Sequence, residues 1–348
     1  MITMDGSYGE GGGQVVRTSL TLSALLKRPL RIEKIRAGRR NPGLQAQHLT
    51  GVRATAQVCG ARLEGADLGS QILAFVPQSP PRPGEYTFDV AEARKGGSAG
   101  ATSLVFQTLL LPLAFAHGTA RLTLQGGTHV AWSPPFHYLK QVYLPTLARM
   151  GVDAEVEIER WGWYPIGGGV IRAEIKGTEG LGGIQLTERG TLVRLSGISA
   201  LSNLPSHIAE RQRRRAVEIL RAEGFAPEIE MVDAPASGQG TCVFLLAEYE
   251  NGRAGFTALG ARGKPAEKVA EEACRDFLAH HQSGACLELH LADQLILPMA
   301  LAHGPSAFTT CRITQHLLTN IWVVEQFLEV TFEVEGKEGG EGTVMVHV

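Results

Sequence analysis

Residues 9–20, GEGGGQVVRTSL, set one carboxylate and one guanidinium around a run of glycines that feeds an apolar stretch. Gly9, Gly11, Gly12 and Gly13 permit positive φ and close backbone approach. A helix starting there would turn its free N–H groups toward an anion. Arg17 lies four residues beyond Gly13, one turn in, where its guanidinium could reach the same anion. Glu10 supplies the opposite charge and could hold a divalent cation on phosphate oxygens. The same residues also suit a tight strand-to-helix turn with a surface ion pair, and they leave both readings open.

Three further stretches carry chemistry. In IRAGRRNPGLQAQH (35–48), Arg36, Arg39 and Arg40 crowd a Gly/Pro loop, with Gln47 and His48 early in the helix that follows. Arginine's planar fork matches phosphate oxygens better than a lysine point charge does, although solvated loop arginines are common. In HLADQ (290–294), His290, Asp293 and Gln294 fall at i, i+3 and i+4, on one helix face: a pocket wall or a plain helix surface. In TQHLLTN (314–320), Thr314 is a plausible cap and His316 opens an apolar helix. The positive helix end is expected to lower that imidazole's pKa and favour its neutral, nucleophilic form. A structural histidine is the competing reading. No GxxxxGK[ST] or GxGxxG nucleotide loop is present, and no KxDG-type lysine nucleophile.

The elements that must position these residues read as an alternation of helices and short strands over 348 residues. Helical spacing of Val15, Val16, Ser19, Leu22 and Leu26 predicts a helix over 14–26, followed by a strand in RPLRIEKIR, a second helix over 44–58 and strands near 62–64 and 71–76. The pattern returns as a helix within 95–115, a strand at 120–126 and a helix over 135–150. It returns again as a helix over 289–302, a short strand, a helix over 316–328 and a terminal hairpin. That recurrence predicts internal structural repeats. Between the second and third units the character changes: a strand in TLVRLSGIS, a helix from Ser206 with the basic run ERQRRR, strands EIEMVDA and TCVFLLAEYE, and a helix with Pro265 at its first position. This reads as an inserted α/β subdomain, its basic run being a solvated helix face or an RNA contact.

Composition bounds the rest. With 44% hydrophobic and 20% charged residues a sizeable core is expected. No apolar run is long enough for a membrane helix, and the N-terminus has no signal-peptide pattern. The five cysteines are scattered, without a CxxC pair, which argues against a disulfide framework or structural zinc and predicts a reducing, cytoplasmic setting. A net charge of −2 gives no global nucleic-acid signal, yet residues 1–50 hold eight Lys/Arg against three acids, consistent with a local anion site.

Taken together, DGSYGEGGGQVVRTSL (5–20), IRAGRRNPGLQAQHL (35–49), residues 96–112, WGWYPIGGG (161–169), HLADQLILPMA (290–300) and HLLTNIWVVEQFL (316–328) resemble the RNA 3′-terminal phosphate cyclase family, in family order over nearly the whole chain. The resemblance implies an α/β fold of three repeated units, each like the C-terminal domain of translation initiation factor 3. It implies a catalytic domain at 1–182 and 283–348 and an insert domain at 183–282. It also implies a reaction: a histidine attacks the α-phosphorus of ATP and releases pyrophosphate, the AMP passes to an RNA 3′-phosphate to give an RNA–ppA anhydride, and the 2′-hydroxyl closes a 2′,3′-cyclic phosphate and releases AMP. Because the 2′-hydroxyl is a reactant, RNA is the cyclisation substrate, while DNA ends stay open as acceptors of AMP.

Carried over by position, His316 is the nucleophile and Glu10 binds Mg or Mn. Arg17 and Arg39 steady phosphates beside Gln47 and His48, and Arg36 and Arg40 meet the RNA phosphate. Gln107 and the run His290, Leu291, Ala292, Asp293 and Gln294 hold ATP, with Pro135 and Phe136 packing on adenine. Two positions depart from the family: His290 stands where tyrosine is common, and Ile166 where arginine is frequent. The rivals are a cyclase-like ribosome-biogenesis branch, which lacks the nucleophilic histidine, and an enolpyruvyl transferase built from similar repeats in a longer chain.

Overall fold

A parallel strand pair cannot be closed by a tight turn, so the chain must cross over between its members, usually through a helix. The computed structural model, which describes residues 1–94 and 97–347, solves this problem repeatedly. In the first sheet β1 (Ile2–Asp5) and β2 (Leu30–Glu33) are parallel and joined through α1 (Gly13–Leu26). Helix α2 (Ala46–Cys59) then leads to β3 (Arg62–Glu64) and β4 (Leu73–Val76), giving the order β1-β2-β4-β3 with the last two pairings antiparallel.

The second sheet has the same connectivity. Strand β5 (Glu85–Asp89) runs parallel to β6 (Thr119–Gly126) across α3 (Thr102–Ala114). A helical segment follows, made of α4 (Phe136–Tyr138), a π-turn at Leu139–Tyr143 and α5 (Leu144–Ala148). Strands β7 (Asp153–Arg160) and β8 (Gly169–Lys176) complete the order β5-β6-β8-β7. Lys95 and Gly96, at the start of the stretch read as 95–115, lie outside the described residues, as does Val348.

After the two-residue β9 (Leu181–Gly182), β10 (Gln185–Leu186) begins the third sheet, but its parallel partner comes far later. First the chain builds a fourth sheet from β11 (Leu192–Ser202), β12 (Glu228–Asp233), β13 (Gly240–Tyr249) and β14 (Arg253–Leu259), in the order β12-β11-β13-β14. It is covered by α6 (His207–Ala222) and α7 (Ala266–Ser283). Then come α8 (Leu289–Ala300), β15 (Ala302–His303, paired with β9), β16 (Ser306–Thr310), α9 (Gln315–Glu325) and the hairpin β17 (Thr331–Gly336) with β18 (Gly342–His347). They close the order β10-β16-β18-β17.

One apolar core runs through the first three sheets and the helices α1, α2, α3, α8 and α9. Helix α1 is its pivot, packed against α2, α3 and α9. Val15 and Leu22 on it are fully buried, each worth roughly 1.5–3 kcal/mol relative to exposure. The fourth sheet closes a separate core with α6 and α7, built around Phe244's neighbours Val243 and Leu245 together with Phe256 and Phe277.

The ERQRRR run lies on α6. Arg211 pairs with Glu267 and Arg215 with Glu271 of α7, while Arg213 donates to Ile229 O. Three of its cations are thus used inside this unit. Pro265 stands one residue before α7, as its N-cap. Strand β14 had no place in the sequence reading. Its alternation is masked because RAGFTAL is half small residues, and pairing with β13 defines it.

Candidate functional site

Helix α9 begins with a true cap: Thr314 accepts from Leu317 N at 3.0 Å. That cap fixes the first turn and aims His316 across the end of α8 toward the glycine run before α1. His316 Nδ1 lies 3.1 Å from Asp293 Oδ2, and Nε2 lies 3.3 Å from Glu10 Oε2. Glu10 Oε1 is in turn paired with Arg39, which also donates to Glu10 O at 2.9 Å. Arg17 donates to Gln14 Oε1. Gln14 Nε2 then donates to Thr18 Oγ1, Thr18 to Asn320 Oδ1, and Asn320 Nδ2 to Asp293 O at 2.7 Å. A continuous polar network therefore links α1, α8 and α9 around one imidazole.

The glycines have a spatial reason. A Cβ on Gly13 would collide with His48 Nε2, and one on Gly9, which has φ +58°, would collide with Thr319 Oγ1. Thr319 instead accepts from Glu10 N at 3.1 Å, and Tyr8 stacks on Trp322 with ring centroids 3.9 Å apart. The loop is thereby held onto α9. Gly13→Ala is expected to cost about 1–3 kcal/mol by overpacking a histidine that cannot retreat. Thermal unfolding checks this, and an unchanged midpoint would show that His48 yields freely.

Charge states follow from burial and neighbours. Burial, with the charges of Arg17 and Arg36, holds His48 down to about 3, so it stays neutral. Its Nδ1 accepts from Gln45 N at 3.1 Å, which leaves Nε2 as the hydrogen-bearing nitrogen beside Gly13. Burial lowers Arg17 to about 10, against the opposing pull of Asp293 and Glu10, and it remains cationic. For His316 the expected lowering is reversed. Burial does pull its pKa down, but Asp293 and Glu10 outweigh burial and the Arg17 charge, so it is raised. Two carboxylates at contact distance override a helix end.

The other expected residues fall into four groups. Gln107 and Gln294 are brought together, Nε2 to Oε1 at 3.0 Å, on a cleft also lined by Arg17, Gln14, Asn320 and Tyr143. Gln47 uses its Oε1 on Ala101 N, and Arg36 donates to Asn41 O and Gly43 O, so both hold loops. Arg40 and His290 are exposed. The side chains of Leu291, Ala292 and Phe136 are packed into the core, and Pro135 is buried as the cap of α4.

Thr18, Thr319 and Asn320 belong to the site and were not read from sequence. For the last two the signal existed, since they lie at i+3 and i+4 from His316.

Two buried atoms at the centre, Glu10 Oε2 and His316 Nδ1, have no well-aligned hydrogen bond. The contacts of His316 with the carboxylates are ion-pair approaches. Buried polar groups are rarely left this way, and these face the loop whose N–H groups and arginines suit an anion.

A family profile described as RNA 3′-terminal phosphate cyclase matches residues 8–334. A Methylococcus capsulatus protein of that name is 53% identical over 348 residues, covering 100% of this chain and 96% of the relative. Namesakes from Nostoc punctiforme and Pyrococcus furiosus are 51% and 41% identical, covering 94% and 99% of this chain and 94% and 98% of theirs. A solved enolpyruvyl transferase from Streptomyces tendae, 20% identical, covers 51% of this chain and 33% of its own at a TM-score of 0.30, too loose a likeness to inform the fold.

Proposed function

This chain belongs to the RNA 3′-terminal phosphate cyclase family, and from that premise we propose that it uses ATP to convert an RNA 3′-phosphate to a 2′,3′-cyclic phosphate through a histidine–AMP intermediate. The observation that carries the reading is the placement of His316 between Asp293 and Glu10, with Arg17 and Arg39 alongside.

The Asp293 carboxylate, 3.1 Å from Nδ1, favours the proton there by its charge, which leaves the Nε2 lone pair as the nucleophile. Nε2 forms a bond to the α-phosphorus while the bridging P–O bond breaks and pyrophosphate leaves. An oxygen of the RNA 3′-phosphate then attacks the AMP phosphorus, the N–P bond breaks, and His316 is restored. Attack of the 2′-hydroxyl on the activated 3′-phosphorus, with loss of its proton to water, expels AMP. Arg17, Arg39 and the backbone N–H groups at the start of α1 stabilise phosphate charge, the larger part of phosphoryl catalysis. The nucleoside end of ATP would meet Gln107 and Gln294 in the cleft.

A divalent ion fits the donor set. Glu10 Oε2 is buried without a hydrogen-bond partner, and among the described residues no group of three His/Cys/Asp/Glu side chains is placed to hold a metal ion by itself. Such an ion would be held by Glu10 together with substrate phosphates, in the manner of magnesium. When bound it supplies charge neutralisation at those phosphates. Glu10→Ala is expected to raise the metal concentration needed for AMP attachment on the order of tenfold. Superimposable Mg and Mn titrations of variant and wild type would reject the assignment.

The recurring strand order of the three sheets supports reading them as initiation-factor-3-like units. The separate core around β11–β14 supports an insert domain at 183–282 within a catalytic domain of 1–182 and 283–348. Five free thiols suit a reducing compartment such as the cytoplasm.

The deciding experiment incubates the protein with α-labelled ATP and Mg or Mn. Retained label that an RNA 3′-phosphate discharges supports the mechanism. No label on folded protein would instead favour a non-catalytic RNA-binding role.

A further inference from the structure

Trp132 is 98% exposed and has φ +63°, a left-handed conformation that is costly for a bulky residue and recurs at functional sites. Its loop, between β6 and α4, is held rather than frayed. Ser133 Oγ donates to Val130 O at 3.0 Å, and Thr128 N and His129 N both donate to Gly162 O, at 2.9 and 3.1 Å. Gly162 lies in the β7–β8 connection, which exposes Tyr164 at 77% and Ile166 at 57%. Beneath them His129 stacks on buried Trp161, with centroids 3.9 Å apart. The exposed rings therefore stand on a packed aromatic base, and the strain at Trp132 is offset by no contact of its side chain within the chain.

The loops of this region carry no acid of their own. Residues 127–138 and 160–169 contain no Asp or Glu, and neither do residues 34–47, which hold Arg36, Arg39 and Arg40. These stretches are contiguous: Ala101 bridges to Gly127 and donates to Gln47 Oε1, and Gln47 neighbours His48 at the glycine run. Flat apolar rings beside an acid-free, arginine-bearing loop match a polyanion with flat bases. A second protein surface would be expected to ask for charges of both signs around the apolar patch.

We propose that Trp132 and Tyr164 form a stacking shelf for unpaired bases of the RNA strand whose 3′-phosphate enters the His316 site. This rests on the cyclase reading.

The test measures binding of short 3′-phosphorylated oligoribonucleotides by fluorescence anisotropy to wild type, W132A, W132F and Y164A, alongside AMP attachment without RNA and sedimentation. W132A is expected to weaken RNA binding about 5- to 100-fold, W132F to retain most of it, and RNA-independent AMP attachment to continue. Equal RNA affinity in W132A and wild type overturns the shelf. So does a wild-type dimer that W132A dissociates, since the occupant is then a second copy. A wild type that takes no AMP overturns the cyclase reading, and the W132A affinity still decides the shelf.

Discussion

His316→Ala abolishes AMP attachment, a loss on the order of 10⁴-fold or more for removal of a covalent nucleophile, while the protein stays folded. No other imidazole can replace it. His48 is neutral but faces Gly13 through an N–H, with its acceptor nitrogen used on Gln45, and His290 is exposed on the first turn of α8. The fold survives because Thr314, not His316, caps α9, and because Leu317 and Ile321 anchor the helix in the core. The stability signature is specific. The pKa of His316 is raised by folding, so its protonated form stabilises the native state. That contribution is fully present below the ordinary imidazole value near 6.5 and fades as pH rises through the higher folded value. The unfolding temperatures of wild type and variant should therefore differ most near pH 6 and converge as pH rises through the raised folded value. Label retained by the alanine variant would move the nucleophile elsewhere.

Local chemistry was legible where the sequence carries its own answer. Thr314 before an apolar run foretold its cap, and the spacing of Val15, Val16, Ser19 and Leu22 foretold a buried helix. The glycines foretold close approach, but not what approaches: His48 comes from the next helix and Thr319 from α9. The same distance hides the electrostatics of His316. A helix end is read from neighbouring residues, whereas Glu10 lies in the first loop and Asp293 on another helix, and those two decide the sign. Strands β7 and β14 were illegible for a different reason. DAEVEIER has the charge of a helix surface and RAGFTAL the small residues of a turn, and both become strands through hydrogen bonds to a partner already in place. Likewise β10 is two residues long and meets β16 only after the whole β11–β14 unit has been inserted between them, a pairing that no local window contains.

Asp293→Asn separates the two things this carboxylate does. It favours the imidazole tautomer that leaves Nε2 free, so its loss should slow AMP attachment on the order of 10²-fold on the alkaline plateau. It also raises the pKa of His316, by charge and by proximity at 3.1 Å. In the wild type the reactive neutral imidazole is gained as pH rises through that raised value, so the rate falls on the acid side. With asparagine, burial and the Arg17 charge remain while one of the two carboxylates is gone, and the pKa must drop. The acid limb of the single-turnover rate should therefore move to lower pH even as the plateau falls, with a shape that merely misplacing the histidine would not produce. Asn320 already fixes the backbone of Asp293 by donating to its carbonyl at 2.7 Å, so the isosteric change leaves α8 in position. A lowered plateau with an unmoved acid limb would mean that Glu10 alone sets the imidazole's charge, and that Asp293 acts only to orient it.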